Sequence, residues 1–273
     1  NTAPSWDLAQ PFRSLAHNGE INTLKGNINW MKVHEQEMQS PLFENIENLK
    51  PVIPSGNSDS ASLDNVFELL TTSGHSAPLA NLMLIPDAWS KKSKVLPKEH
   101  LQLFNFLNSS MEPWDGPAAI AGTDNEWVIV ASDRNGLRPM RYTVTKDKLL
   151  FAGSETGMID INEKIIIEKG RLGPGEILGI RIEKGKIFRN TEIKNYLAKE
   201  YKNFNNQIVN LDKKIKISKE KCIFTGSELR KRQHSFGISI EDLELILHPM
   251  VEEAKEAVGS MGDDTPLAVL SDR

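Results

Sequence analysis

The chain has 273 residues, 39% hydrophobic and 26% charged, so it can bury a substantial core in one or two domains. Its net charge of −4 at pH 7 gives no electrostatic footprint for nucleic acid, and no apolar run approaches the ~18 residues of a membrane helix. We therefore expect neither nucleic acid nor a membrane as a partner, and the lone Cys222 fits a reducing compartment such as the cytoplasm or a plastid stroma.

The first part of the chain predicts one short strand followed by helices. Residues 11–16 are typical of a strand, which we expect to end in a turn at Asn18-Gly19, because Asn-Gly is the strongest short hairpin signal. The same dipeptide also offers an amide and a backbone N–H that can converge on one oxyanion. Apolar spacing and capping residues then predict helices over residues 23–39, 58–74, 79–85 and 97–108.

From Gly116 onward the sequence predicts strands. Short apolar runs are bounded by Gly, Asn and Asp, and no strand–helix alternation supports a parallel sheet. We expect antiparallel sheets packed face to face with the earlier helices outside. The predicted strands cover residues 118–122, 126–131, 141–144, 149–152, 164–167, 177–182 and 187–188.

The composition changes again after Asn190. A helix is predicted over residues 192–204, and residues 205–221 form an exposed connector rich in Asn and Lys. Its lysines lack the interleaved aromatic residues of single-strand binding sites, so nucleic acid is not the expected partner. Two more helices are expected to begin at Ser227 and at Ser239, where Asp242 three residues later gives a pattern close to a capping box. These shifts divide the chain into 1–190, a connector at 191–226, and a further domain opening at 227–273.

Few residues have the spacing of a metal or nucleophile site. The six histidines are scattered without metal-ligand spacing, so no metal site is expected. Cys222 lies in the connector with no nearby base, which favours a bystander thiol over a nucleophile. Gly173-Pro174-Gly175 lies between predicted strands and offers no following helix for an anion.

Asp59 and the block Asp133 to Pro139 allow two interpretations each. Asp59 can cap the helix that follows it, or it can hold an ammonium group of a small ligand as a partly buried carboxylate, and both roles can coexist. In the second block we expect Asn135-Gly136 to form a hairpin turn. There a structural role is favoured for the Arg134/Arg138 loop, with Arg138 tied to a carboxylate of the fold.

Distinctive motif blocks lie at residues 6–13, 16–23, 26–27, 29–31, 58–61, 63–68, 111–118, 133–139 and 154–157. Together they resemble the glutaminase domain of the glutamate synthase large subunit, a class II glutamine amidotransferase. Residues 259–271, with Arg232-Gln233 and Phe236-Gly237, look like the start of the central domain of that enzyme. The His-Asn-Gly and Ser-Asp-Ser blocks are shared by class II amidotransferases in general.

The resemblance implies an α+β fold, the αββα sandwich of N-terminal-nucleophile hydrolases, here incomplete and followed by a mainly helical connector. In this family an N-terminal Cys attacks the glutamine amide. The resemblance assigns the oxyanion to Asn18 and Gly19 and substrate binding to Asp59, which holds the α-ammonium, and to His17. The nucleophilic Cys has no counterpart here, and Asn1 cannot replace it. We therefore expect a fragment that is inactive alone.

The whole enzyme implied by the resemblance converts glutamine to glutamate and ammonia and uses the ammonia to make glutamate from 2-oxoglutarate. No cofactor is expected in this segment, whereas FMN and an iron-sulfur cluster are implied for the full-length family. The implied partners are the remaining domains of the polypeptide and an electron donor, either ferredoxin or an NADPH-dependent small subunit. The alternatives are another class II amidotransferase, such as a phosphoribosylamine-forming enzyme, or a non-catalytic module that retains the fold.

Overall fold

The computed structural model describes residues 5–88, 95–201 and 224–254. They fall into two compact units, Asn1–Gln207 and Ile208–Arg273. The first unit contains a five-stranded sheet of order β1-β2-β3-β7-β8 and a three-stranded sheet of order β5-β4-β6, with all neighbouring strands antiparallel. The strands are β1 (Leu15–Gly19), β2 (Ala118–Thr123), β3 (Trp127–Ser132), β4 (Arg141–Thr145), β5 (Leu150–Gly153), β6 (Ile166–Arg171), β7 (Ile177–Arg181) and β8 (Lys186–Phe188).

Helices cover one face of the five-stranded sheet. Because side chains alternate along a strand, Ile129 of β3 faces the helices, where it shares a core with Phe67 and Ile193. Contacts join α2 to β1, α3 to β3 and α5 to β7. The helices of this unit are α1 (Leu24–Glu37), α2 (Asp59–Thr72), α3 (Ala77–Leu84), α4 (Lys98–Ser110) and α5 (Asn190–Glu200).

A second core lies between the two sheets. Val130 and Leu178 of the first sheet pack with Tyr142 and Leu150 of the second. The described residues therefore form helix, sheet and sheet layers, which confirms the expected α+β class and the face-to-face packing.

Helix α2 follows its sequence pattern closely. Leu63, Val66, Phe67 and Leu70 are buried at helical spacing, as the apolar stripe predicts. The residue that caps the helix is Ser58, whose hydroxyl accepts the N–H of Ala61 at 3.1 Å. The expectation that Asp59 caps it was therefore wrong, because this carboxylate lies one position inside the helix.

Neither of the two Asn-Gly dipeptides forms the expected hairpin turn. Asn18-Gly19 is not a turn, since both residues lie in β1 and pair with β2. Asn135-Gly136 does lie in a tight turn, in which the Gly136 N–H donates to the Asp133 carbonyl at 3.0 Å and Gly136 has a φ of +65°. That turn connects β3 to β4, which belong to different sheets, so it is not a hairpin.

Helix α5, which follows the domain boundary expected at residue 190, packs into the first unit. Ile193 and Leu197 on this helix are completely buried in the core of that unit. Most of the expected connector, including Cys222, lies outside the described residues, as do residues 255–273.

The described part of the second unit is helical. Helix α6 (Gly226–Ser235) is followed by the helical segments Ile240–Asp242, Leu243–Leu247 and His248–Glu253. Ser239 begins the second stretch with the expected capping box, in which its hydroxyl accepts the Asp242 N–H at 3.0 Å. Among the described helices, none has the length and hydropathy needed to cross a bilayer.

Candidate active site

The inner edge of β1 pairs with the start of β2. Asn18 lies opposite Ala119, and Gly19 lies opposite Ala118. A Cβ atom at position 19 would overlap the carbonyl oxygen of Pro117, just before β2. Glycine is therefore required here by a close backbone approach, not by a turn conformation.

The outer edge of β1 has no neighbouring strand among the described residues, because β1 ends the five-stranded sheet. Side chains accept three outward N–H groups along this edge and its continuation, and these contacts blunt an edge that could otherwise pair with another chain. The N–H of Leu15 donates to Asp64 Oδ1 at 2.9 Å, that of His17 to Gln10 Oε1 at 2.6 Å, and that of Ile21 to Asp59 Oδ2 at 2.8 Å.

Gly19 interrupts this series. Strand alternation turns its N–H to the same outward side as those of His17 and Ile21, and within the described part of the chain no acceptor meets it. The next N–H, of Glu20, turns inward to the Pro117 carbonyl at 2.9 Å. The edge therefore presents one open backbone donor, between two that are satisfied.

The side chain of Asn18 lies beside that donor. Its amide nitrogen Nδ2 donates to the Ser154 hydroxyl, in the loop after β5, at 2.8 Å. A primary amide carries two N–H groups, so this contact orients the amide and leaves a second donor for a ligand. The two donors expected from the sequence thus belong to consecutive residues of β1.

His17 is buried between β1 and α2, with 5% of its surface exposed. Its Nδ1 lies 2.7 Å from the Ser60 hydroxyl, and its Nε2 is buried without a hydrogen-bond partner among the described residues. Burial lowers the pKa of His17, helped by the charge of Arg138 and opposed by Asp59 and the Pro117 carbonyl. A neutral imidazole in this position packs the strand against the helix.

Asp59 is half-buried at the first turn of α2, where the helix dipole favours a carboxylate. The Ile21 N–H fixes Oδ2, while the Ser60 hydroxyl lies 3.5 Å from Oδ1, a long contact. The oxygen Oδ1 is thus the more available acceptor for a cationic ligand. Through these contacts, the structure brings His17, Asn18, Gly19 and Asp59 to one end of β1.

A buried carboxylate supports the inner side of the site. Asp133 is 2% exposed and accepts the backbone N–H of Ala118 at 3.1 Å, which fixes the strand end opposite Gly19. It also accepts three N–H groups of its own loop, those of residues 135, 137 and 138, at 3.0–3.1 Å. Asp133 is therefore structural, as expected for this block.

The arginines of that loop differ from the sequence expectation. Arg134 makes the ion pair, at 2.6 Å to Asp115, whereas the Arg138 side chain is exposed and pairs with no carboxylate in the described residues. The expected tie between Arg138 and a carboxylate of the fold was wrong. Its charge instead lies close enough to His17 to lower the pKa of that imidazole.

Sequence reasoning did not single out Gln10, Asp64 and Ser154, which support the site. Only Asp64 carried a signal, since a charged residue between Leu63 and Val66 interrupts an apolar stripe and must find partners when buried. Nothing in the local sequence indicates that Gln10 and Ser154 meet β1.

The described residues contain no cluster of three or more His, Cys, Asp or Glu side chains that could hold a metal ion. Gly173-Pro174-Gly175 connects β6 to β7, and no helix begins there. The chemistry of the described site is therefore that of neutral donors and one carboxylate.

Comparison with known proteins places these features in a family. The family model for class II glutamine amidotransferases matches residues 1–206, and that for the glutamate synthase central domain matches residues 231–273. The chain is 54% identical to the glutamate synthase [NADPH] large chain of Azospirillum brasilense, with 100% of this chain and 18% of that protein covered. It is 39% identical to the chloroplastic ferredoxin-dependent glutamate synthase 2 of Arabidopsis thaliana, with 100% of this chain and 17% of that protein covered.

The chain thus spans less than a fifth of the length of these relatives. Among solved structures, it is similar to the glutamine phosphoribosylpyrophosphate amidotransferase of Bacillus subtilis, complexed with ADP and GMP. That match has 23% identity and a TM-score of 0.36, and it covers 68% of this chain and 32% of the other.

Proposed function

Because this chain belongs to the class II glutamine amidotransferases, we propose that it supplies the oxyanion side of the glutaminase site of a glutamate synthase large chain. The similarity to glutamate synthases over the whole chain and the match to their central domain at residues 231–273 support this assignment. In the proposed organisation, the amidotransferase domain comes first, then a connector, then the opening of the central domain.

The observation that carries the proposal is the open N–H of Gly19 next to the amide of Asn18. When a nucleophile attacks the side-chain amide of glutamine, the carbonyl oxygen becomes an oxyanion. Neutral donors fixed before the reaction stabilise that charge without reorganising. The Gly19 N–H is held by the strand and the Asn18 amide by Ser154, so both are oriented in advance.

Asp59 would hold the other end of the substrate. Its Oδ1 is available for the α-ammonium of glutamine, while its Oδ2 is tied to the strand by the Ile21 N–H. One carboxylate thus links substrate binding to the position of the oxyanion donors. The buried His17 would support substrate binding indirectly, because it packs β1 on Ser60, beside Asp59.

The nucleophile of this reaction is a Cys thiol in the family, and no described residue is a cysteine. In the proposed reaction the thiol gives up its proton as its sulfur attacks the amide carbon, and the amide nitrogen takes up that proton and leaves as ammonia. Water then cleaves the thioester to glutamate. The residues of this chain bind and orient the substrate and stabilise the oxyanion in both steps.

The flavin and iron-sulfur chemistry would lie elsewhere in the longer protein. An iron-sulfur cluster needs several Cys ligands, and this chain has one Cys in all. The residues of this segment therefore do not fit such a cluster. The proposed electron donor, ferredoxin or an NADPH-dependent subunit, would act on those other domains.

The test is glutamine hydrolysis by the full-length polypeptide that contains this chain, followed as ammonia and glutamate release. Asn18→Ala is expected to lower kcat by about 10²–10³-fold, the usual effect of losing one oxyanion donor. Asp59→Asn is expected to raise KM for glutamine, because the ammonium loses its charged partner. Asn48→Ala, at an exposed position, serves as the matched control. Unchanged kcat in Asn18→Ala would refute the assignment of the oxyanion site.

A further inference from the structure

We propose that Gln10 is a positioning residue that holds the Gly19 N–H open for the substrate, an inference that rests on the proposed function. The Gln10 carboxamide makes two hydrogen bonds to the main chain of His17. Its Oε1 accepts the His17 N–H at 2.6 Å, and its Nε2 donates to the His17 carbonyl at 2.8 Å. The side chain thus pairs with the strand as a peptide group of a neighbouring strand would.

For the site, the important property of this contact is that it covers only one residue of the strand edge. In a strand, the N–H groups of residues 17 and 19 point to the same side, so a neighbouring strand that paired at His17 would continue and cover Gly19. A single carboxamide can satisfy the N–H and the carbonyl of only one residue. Gln10 therefore protects the edge immediately before Asn18 and leaves the next outward donor accessible.

The other edge contacts do not replace it. Asp64 anchors the beginning of β1, at Ser14 and Leu15, and Asp59 accepts the N–H of Ile21, beyond the oxyanion donors. Only Gln10 holds the residue adjacent to Asn18 on this edge, among the described contacts. Loss of the two Gln10 hydrogen bonds would leave the contacts of Asp64 and Asp59 in place but would loosen the part of β1 between them.

The two hydrogen bonds to His17 require an amide at position 10, because one is accepted and the other is donated by the side chain. A Glu side chain at position 10 keeps an acceptor for the His17 N–H, but it places a carboxylate oxygen against the His17 carbonyl, where no proton separates the two acceptors. An Ala side chain removes both hydrogen bonds. The two substitutions therefore perturb the same peptide, one by repulsion and one by release.

The experiment compares Gln10→Glu and Gln10→Ala in the full-length polypeptide with Gln36→Glu, an exposed position on α1, as the matched control. We expect each Gln10 variant to lose at least about tenfold in kcat for glutamine hydrolysis, a part of the 10²–10³-fold effect of a lost oxyanion donor. KM for glutamine should change less than about threefold, since Asp59 keeps its own contacts. Gln36→Glu should behave as the wild type.

Hydrogen–deuterium exchange over residues 15–19 provides a readout that does not depend on catalysis. Both Gln10 variants should exchange the His17 amide faster than the wild type and the control do. Wild-type kcat in Gln10→Ala, a rise in KM in place of a fall in kcat, or unchanged exchange at His17 would each overturn the inference. If the wild-type polypeptide releases no ammonia from glutamine, the proposed function fails. The exchange measurement then still decides whether the Gln10 hydrogen bonds hold the strand at His17.

Discussion

Lys194 and Asp87 form a buried ion pair whose removal should destabilise the first unit. The ammonium of Lys194, on α5, lies 3.0 Å from Asp87 Oδ2 and donates to the Gly175 carbonyl at 3.2 Å. Both side chains are about 5% exposed or less. Lys194→Met gives an unbranched apolar side chain one atom shorter and leaves a buried carboxylate and a carbonyl without this donor.

The expected loss follows from that geometry. Removing one partner of a buried ion pair costs about 3–5 kcal/mol, because the remaining charge stays in a poorly solvated site. With a urea m-value of about 2 kcal/mol per M, the unfolding midpoint should fall by about 1.5–2.5 M. Replacing both partners by apolar side chains is often nearly neutral, so Lys194→Met with Asp87→Leu should recover most of the loss.

The assay is urea unfolding of the 273-residue chain followed by tryptophan fluorescence. This probe reports on the first unit, because the described tryptophans, at positions 6, 30, 114 and 127, lie there. Lys199→Met, at an exposed position of the same helix, is the matched control and should shift the midpoint little. A loss below about 1 kcal/mol in Lys194→Met, or a double variant no more stable than the single one, would refute the reasoning.

Three further predictions concern the strand and helix around the candidate site. Because burial lowers the pKa of His17, its neutral form stabilises the fold above the unfolded pKa near 6.5, and that stability is lost as the pH falls below 6.5 through the lower folded pKa. His17→Gln should therefore flatten the rise of the unfolding free energy with pH just below pH 6.5, by at most ~1.4 kcal/mol per pH unit. Urea titrations at several pH values measure this slope, and His248→Gln, at an exposed position, should leave it unchanged. Gly26→Ala should stabilise the chain by about 0.5–1 kcal/mol, since a Cβ there meets nothing within 4 Å inside α1, and a lower melting temperature would contradict this. Gly19→Ala should abolish glutamine hydrolysis in the full-length polypeptide, because its Cβ would overlap the Pro117 carbonyl and displace the strand; near-normal activity would show that this close approach is not required.

Local pattern was sufficient for much of the fold. The stripe Leu63, Val66, Phe67 and Leu70 predicted α2 because burial of one helix face repeats every three to four residues. Short apolar runs bounded by Gly and Asn predicted antiparallel strands, since strand length and turn chemistry are local properties. The same spacing predicted sheets packed face to face with helices outside, and the family resemblance added the name of the fold.

The candidate site contains a feature that local sequence pattern does not predict. Asn18-Gly19 carries the same turn signal as Asn135-Gly136, yet only the second forms a turn. The difference comes from Pro117, far along the chain, whose carbonyl approaches Gly19 so closely that the glycine is needed within a strand. A dipeptide cannot reveal which distant backbone will pack against it.

The sequence by itself determined the composition class, the positions of most helices and strands, and the residue types able to bind an oxyanion and an ammonium group. Tertiary structure decided which donors are open, because hydrogen-bond satisfaction depends on neighbours from other elements. Gln10, Ser154 and Asp59 come from separate segments, and only their convergence on β1 leaves the Gly19 N–H free beside an oriented Asn18 amide.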